Sequence, residues 1–298
     1  MTAQDIVKLY IPITLGIIML TMGLGLATAD FKRVLVDPKA VTIGLVNQLV
    51  VLPLVGFGIA FMFELPPALA VGVVLIAACP GGPSSNLYSA LARGDVALSV
   101  SLTAMSGVIT MVSIPLITGL ALDTFMGTAR AIELDVPGTI LQLFLIVGVP
   151  LALGMYIRFR NVARAIKLEK VMTRVAVVLL LTLIIGAILK ERAKVGVYLA
   201  ELGLPIVLLS LSTILIGLFS AMAFKLSLRQ SVTIAIEVGM QNAALGMGIA
   251  MTNLGSEEIA MPSVVYGIIA YFTCLVALFI GRRYIPADTP PVVAAIPR

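Results

Sequence analysis

The stretch AIEVGMQNAALGMGIAM, Ala235 to Met251, decides how the chain folds. It is apolar enough to lie inside a membrane, yet it carries the carboxylate Glu237, the amide pair Gln241 and Asn242, and glycines at 239, 246 and 248. An acid at bilayer depth costs roughly 2.5 to 3.5 kcal/mol, so a plain anchor has no use for one, and an intramembrane ionisable residue marks a site candidate. A related interruption lies earlier, in CPGGPSSN, Cys79 to Asn86, where two prolines and two glycines break an apolar run and hydroxyls and an amide follow. Two interrupted helices, one per half, point to the binding site of a secondary transporter.

The surrounding chain is 60% hydrophobic and 12% charged over 298 residues, against roughly 45–50% and 25% in a soluble domain. It reads as an integral membrane protein and is divided by the ~20 apolar residues that one crossing needs. Its net charge of +5 is carried by basic residues in short interhelical loops, which suits a topogenic role better than nucleic-acid binding. Histidine is absent, which excludes His-based metal and acid/base chemistry. Cys79 and Cys274 lie in apolar segments without metal-ligand spacing, so neither a disulfide framework nor a zinc site is indicated. Ala27-Thr28-Ala29 imitates a signal-peptidase site, but the apolar run before it is longer than a signal core and Asp5 and Lys8 cancel in its flank, so a retained first helix is expected.

The apolar segments are 9–28, 40–62, a broken pair 67–79 and 83–92, 96–121, 135–157, 171–189, 202–223, a broken pair 230–239 and 242–254, and 261–281. Counting each broken pair once, about nine transmembrane helices are expected, in an all-α polytopic fold without period-2 alternation. Sorting lysines and arginines by alternating side leaves Lys8, Arg130, Lys190, Arg192 and Lys194 on one side and the other 15 of the 20 opposite. The positive-inside rule then puts the N-terminus outside and the C-terminus in the cytoplasm of a bacterial inner membrane. Residues 1–283 form a single transporter domain, and 284–298, with four prolines, read as a short cytoplasmic tail. Each half ends in a broken helix followed by one long helix, and their four-plus-five arrangement predicts inverted repeats whose broken helices cross near the midplane.

Unwound helix ends release carbonyls and amides. Free carbonyls suit a small hard cation and half-helix N-termini suit an anion. Oxygens are plentiful here: Ser84, Ser85 and Asn86 in the first break, Ser99 and Thr103 on one face of the next helix, Gln48 in the second span, and Glu237, Gln241 and Asn242 in the second break. Such hydroxyls also serve as interhelical glue, and Met240 and Met247 as fillers.

At these residues the chain resembles the bile acid:sodium symporter family over nearly its whole length. LARGDVALS (Leu91 to Ser99), after the Cys-Pro-Gly-Gly break, and EVGMQNAAL (Glu237 to Leu245) are similar to that family's two signature regions. The resemblance implies a core domain at about 40–121 and 202–281 and a panel domain at about 9–28 and 135–189, with substrate between them. It also implies two sodium ions. The first would be held by Ser85, Asn86, Ser99, Thr103 and Glu237, the second by Gln48, Glu237, Gln241 and the main-chain carbonyls of Val238 and Met240. Asn242, Pro83, Ser84 and Tyr266 are the implied substrate contacts. The chain departs from the family at Pro83, where a small hydroxyl is common, and at Tyr266-Gly267, where some relatives carry His and Asn, so the substrate can differ from a bile acid.

The expected activity is sodium-coupled import of an organic anion by alternating access, with sodium, the anion and the lipid bilayer as partners and no obligatory protein partner. An arsenite or metalloid permease pairing Cys79 with Glu237, or an uncoupled anion permease, remains as the alternative. An intramembrane enzyme would need a second acid or an activated nucleophile near Glu237, and none is visible in the sequence.

Overall fold

The computed structural model describes residues 3–28, 30–31, 37–127, 134–190 and 195–287. Arg130, Arg192 and Lys194, used above for orientation, lie outside these residues, as do Ala29 and the tail from 288 onward. The helices are α1 (Ala3–Gly25), α2 (Pro38–Met62), α3 (Pro67–Ala78), α4 (Ser84–Leu91), α5 (Val96–Met126), α6 (Val136–Arg160), α7 (Val162–Lys190), α8 (Val195–Ala223), α9 (Leu228–Gly239), α10 (Ala243–Thr252) and α11 (Glu257–Tyr284). Among the described residues there is no strand, only one isolated bridge between Gly81 and Gln241. By length and composition α2, α5, α6, α8 and α11 can each cross a membrane, and α3, α10 and Leu9–Gly25 of α1 are shorter apolar helices.

Short polar side chains start most of these helices by accepting from freed backbone amides. Asp37 does so for α2, Asp95 for α5, Asp135 for α6, Asn161 for α7 and Ser256 for α11, while Ser227 and Gln230 form a reciprocal capping box on α9. The Asn161 cap explains one departure from the sequence reading. Apolarity there begins at 171, but the helix begins at Val162, so Arg164, Lys167 and Lys170 lie on α7 and not in a loop. Hydropathy marks where a helix enters lipid; the cap marks where it begins.

α2 and α6 each contain a widened π-turn, at Asn47–Val51 and Phe144–Gly148, two residues ahead of Pro53 and Pro150. Proline cannot donate to the helical ladder and its ring crowds the preceding turn, and a π-turn relieves both strains.

α1 packs against the last part of α6 and against α7. The α1–α6 contact is a backbone approach: a β-carbon on Gly23 would overlap the Leu151 carbonyl, and one on Gly154 would overlap the backbone of α1 at Leu20. Small residues permit this spacing where lipid gives helices no hydrophobic reason to associate. α3 packs on α2, α5 and α11 and is buried from Ala68 to Ala78. α9 leans on α8, and α10 on α11 and α1. Outward faces are apolar; on α6 Leu141, Phe144, Leu145 and Leu153 are all at least half exposed, which suits contact with lipid.

Candidate ion site at the helix crossing

The two breaks lie against each other. Gly82 N–H donates to the Met240 carbonyl at 2.7 Å and Asn242 N–H donates to the Pro80 carbonyl at 2.9 Å, on either side of the Gly81–Gln241 bridge. Each break thus satisfies backbone groups that the other released, as a lipid environment requires. The expected meeting of 79–86 with 237–242 is present.

Glu237 stands in the last turn of α9 and is 1% exposed. Its Oε2 accepts from Ser85 Oγ of α4 at 2.7 Å and from Ser99 Oγ of α5 at 2.8 Å, and its Oε1 accepts from Thr103 Oγ1. Ser99 and Thr103 reach it together because they are one helical turn apart. All its hydrogen-bond partners among the described residues are neutral hydroxyls, so no countercharge stands beside the buried carboxyl group. Ionised there, it is costly unless a cation joins it.

A second chain of polar groups runs beside the first. Gln48, aimed inward by the π-turn of α2, donates through Nε2 to the Cys79 carbonyl and to Gln241 Oε1, both at 2.7 Å, and Gln241 Nε2 donates to the Val238 carbonyl at 2.7 Å. Two oxygens at the crossing, Gln48 Oε1 and Asn86 Oδ1, are buried without a hydrogen-bond partner. Buried acceptors left open on residues of the two polar chains fit a hard cation.

The remaining sequence candidates fall around this centre. Asn242 caps α10 through Oδ1 on Leu245 N–H, and its Nδ2 is buried without a partner. Pro83 is the exposed N-cap of α4. Ser84 Oγ lies 2.8 Å from Tyr271 Oη. Tyr266 is buried behind the second break and donates to the Gly239 carbonyl at 3.0 Å. The Cys79 thiol faces α10, where a β-carbon on Gly246 would lie 3.3 Å from it; it is the Cys79 carbonyl that joins the polar chain.

A profile described as the Sodium Bile acid symporter family matches residues 12–199. The chain belongs to this family. An "Uncharacterized sodium-dependent transporter YocS" of Bacillus subtilis (strain 168) is 32% identical over 87% of the chain and 78% of its own length. The rice "Probable sodium/metabolite cotransporter BASS2, chloroplastic" is 30% identical over 92% of the chain, and the Arabidopsis thaliana "Probable sodium/metabolite cotransporter BASS1, chloroplastic" 31% over 91%. The chain spans 64% and 66% of the lengths of these two plant relatives.

This member of the symporter family has polar contacts that sequence reasoning passed over. Ser89, buried, donates to Ser99 Oγ at 3.3 Å, and Thr233 accepts from Asp95 N–H at 2.7 Å, joining α9 to the start of α5. Both were findable: Ser89 follows Ser85 by four residues and Thr233 precedes Glu237 by four, so each shares a helical face with a recognised site residue. Tyr271, which meets Ser84 and accepts from Tyr88 Oη at 3.0 Å through its carbonyl, carried no such signal.

Proposed function

We propose that the protein is a sodium-coupled symporter that imports a small organic anion by alternating access. The observation that carries this is Glu237, a buried carboxylate at the crossing whose partners are hydroxyls alone. Sodium replaces the missing countercharge. One ion takes oxygens from Ser85, Asn86, Ser99, Thr103 and Glu237; a second takes Gln48, Gln241, Glu237 and the carbonyls of Val238 and Met240. The orphaned oxygens of Asn86 and Gln48, one for each ion, support this division.

Binding of sodium fixes the two breaks against each other and thereby shapes the anion site. Asn242 Nδ2, the N-terminus of α4 after Pro83, and Ser84 offer donors to a carboxylate or sulfonate. The packing of α1 chiefly with α6 and α7, with a smaller contact on α10, supports a panel moving against a core. Nine crossings, an outside N-terminus and a cytoplasmic C-terminus complete the arrangement, supported by the distribution of basic residues. Two sodium ions with a monoanion move one net charge, worth roughly 2.3 kcal/mol per 100 mV. A tenfold sodium gradient adds about 1.4 kcal/mol per ion, so the total of about 5 kcal/mol supports accumulation of several thousandfold.

The test is thermal stability of the purified protein in sodium against potassium at equal ionic strength, scanned with organic anions. A sodium-specific rise in Tm, enlarged by one class of anion, is expected. Equal Tm in the two salts would overturn sodium coupling.

A further inference from the structure

The second break leaves carbonyls 238 to 241 outside helical pairing, and each is taken by a different donor. Val238 receives Gln241 Nε2, Met240 receives Gly82 N–H, Gln241 receives Ala243 N–H, and Gly239 receives the Tyr266 hydroxyl. The first three donors come from the breaks or the residue beside them. Only Tyr266 reaches in from a separate helix, α11. It is 1% exposed, and Ser210 and Thr213 of α8 adjoin its phenol oxygen. Ser210 Oγ in turn lies 2.6 Å from Thr273 Oγ1, and Thr213 Oγ1 donates to the Ser210 carbonyl at 2.9 Å. This is a buried hydroxyl layer between α8 and α11, behind the break. Gly239 is confined on the same side, since a β-carbon there would overlap Ile214 and lie 3.1 Å from Cys274 Sγ.

We propose that Tyr266 is a positioning residue for the second sodium ion: by holding the Gly239 carbonyl from behind, its hydroxyl sets the direction of the Val238 and Met240 carbonyls. Peptide units are rigid planes, so fixing the middle carbonyl of an unwound turn limits the rotation of both neighbours. The carbonyls of Val238 and Met240 each hold one hydrogen bond and keep a second lone pair for an ion. The inference rests on the symport reading. In this role Tyr266 touches neither ion nor anion, although the sequence grouped it with the substrate contacts.

The experiment is a sodium titration of Tm on purified wild type and on Tyr266→Phe, which removes only the hydroxyl. If wild type shows no sodium-specific rise, the symport reading fails and this inference with it. Given a wild-type response, the variant is expected to need about three- to tenfold more sodium for half the effect, with a less cooperative curve. An unchanged half-saturating concentration would overturn the positioning role. Ser210→Ala, which trims the same layer without touching Gly239, should leave that concentration unmoved; an equal shift there would assign the effect to packing and also overturn the role. Should Tyr266→Phe fail to purify, 3,5-difluorotyrosine incorporated at 266 keeps the ring and strengthens the donor. It should shift half-saturation by at least about twofold, and no shift would overturn the proposal.

Discussion

Gly81 sits directly beneath the carboxylate of Glu237, so closely that a β-carbon on residue 81 would overlap Oε1. The two residues belong to different broken helices, and the absence of a side chain on one is what lets the charge of the other reach the crossing. Gly81→Ala should therefore push Glu237 off its three hydroxyls. The expected outcome is destabilisation by about 1–3 kcal/mol and loss of the sodium-specific rise in Tm. An alanine variant with an unaltered sodium response would show that the carboxylate does not need this position.

Glu237→Gln separates charge from shape. The amide keeps an acceptor for the hydroxyls but removes the buried, uncompensated charge, so Tm in potassium should equal or exceed that of wild type. The sodium-dependent increment should vanish. A glutamine variant that still responds to sodium would remove the carboxylate from the ion site.

Ser99→Ala and Thr103→Val each delete one hydroxyl from the carboxylate. A hydrogen bond to a charged group contributes about 1.5–3 kcal/mol, so each should lower stability in potassium by up to that amount. Each should also raise the sodium concentration needed for half the stabilisation by about tenfold. Isotope uptake into proteoliposomes checks the second effect independently.

Gly154→Leu tests the scaffold and not the site. A leucine there has no room against the α1 backbone at Leu20 and Gly23, and the α1–α6 contact should open at a cost of about 1–3 kcal/mol. The surviving folded protein should bind sodium with wild-type affinity, because no oxygen at the crossing has moved. A change in sodium affinity would show that this contact and the crossing are coupled.

How far the sequence carried depends on which force shaped each feature. The two breaks were legible because glycine, proline and polar residues inside an apolar run weaken a plain membrane span, so their clustering marks a site. That Ser99 and Thr103 share one face followed from helical spacing, while their place beside Glu237 was implied by the family resemblance. The start of α7 was not legible, since Asn161 caps a helix whose first turns are polar. Nor was the divergence of two neighbours: Gln48 enters the crossing, whereas Asn47 donates to Ile43 O and Ser220 Oγ at 2.9 Å, away from it. The pairing of Pro80 and Gly82 with Asn242 and Met240 joins segments far apart in the chain and is visible only in three dimensions. The position of Tyr266 behind the break likewise follows from tertiary packing, not from any local pattern.

The π-turn in α2 gives the amide of Gln48 a dependence on chain length as well as on residue type. The turn holds one residue more than an α-helix of equal rise, and Leu52 N–H spans five residues to the Asn47 carbonyl. Deleting a single residue from it would restore a regular ladder and leave the helix on either side in place, since the surplus residue is absorbed within the turn. The start of α2 is pinned by Gln230 of α9, which donates to Asp37, and Pro53 follows the turn. Between these two fixed points, the aim of one side chain is stored in a single surplus residue.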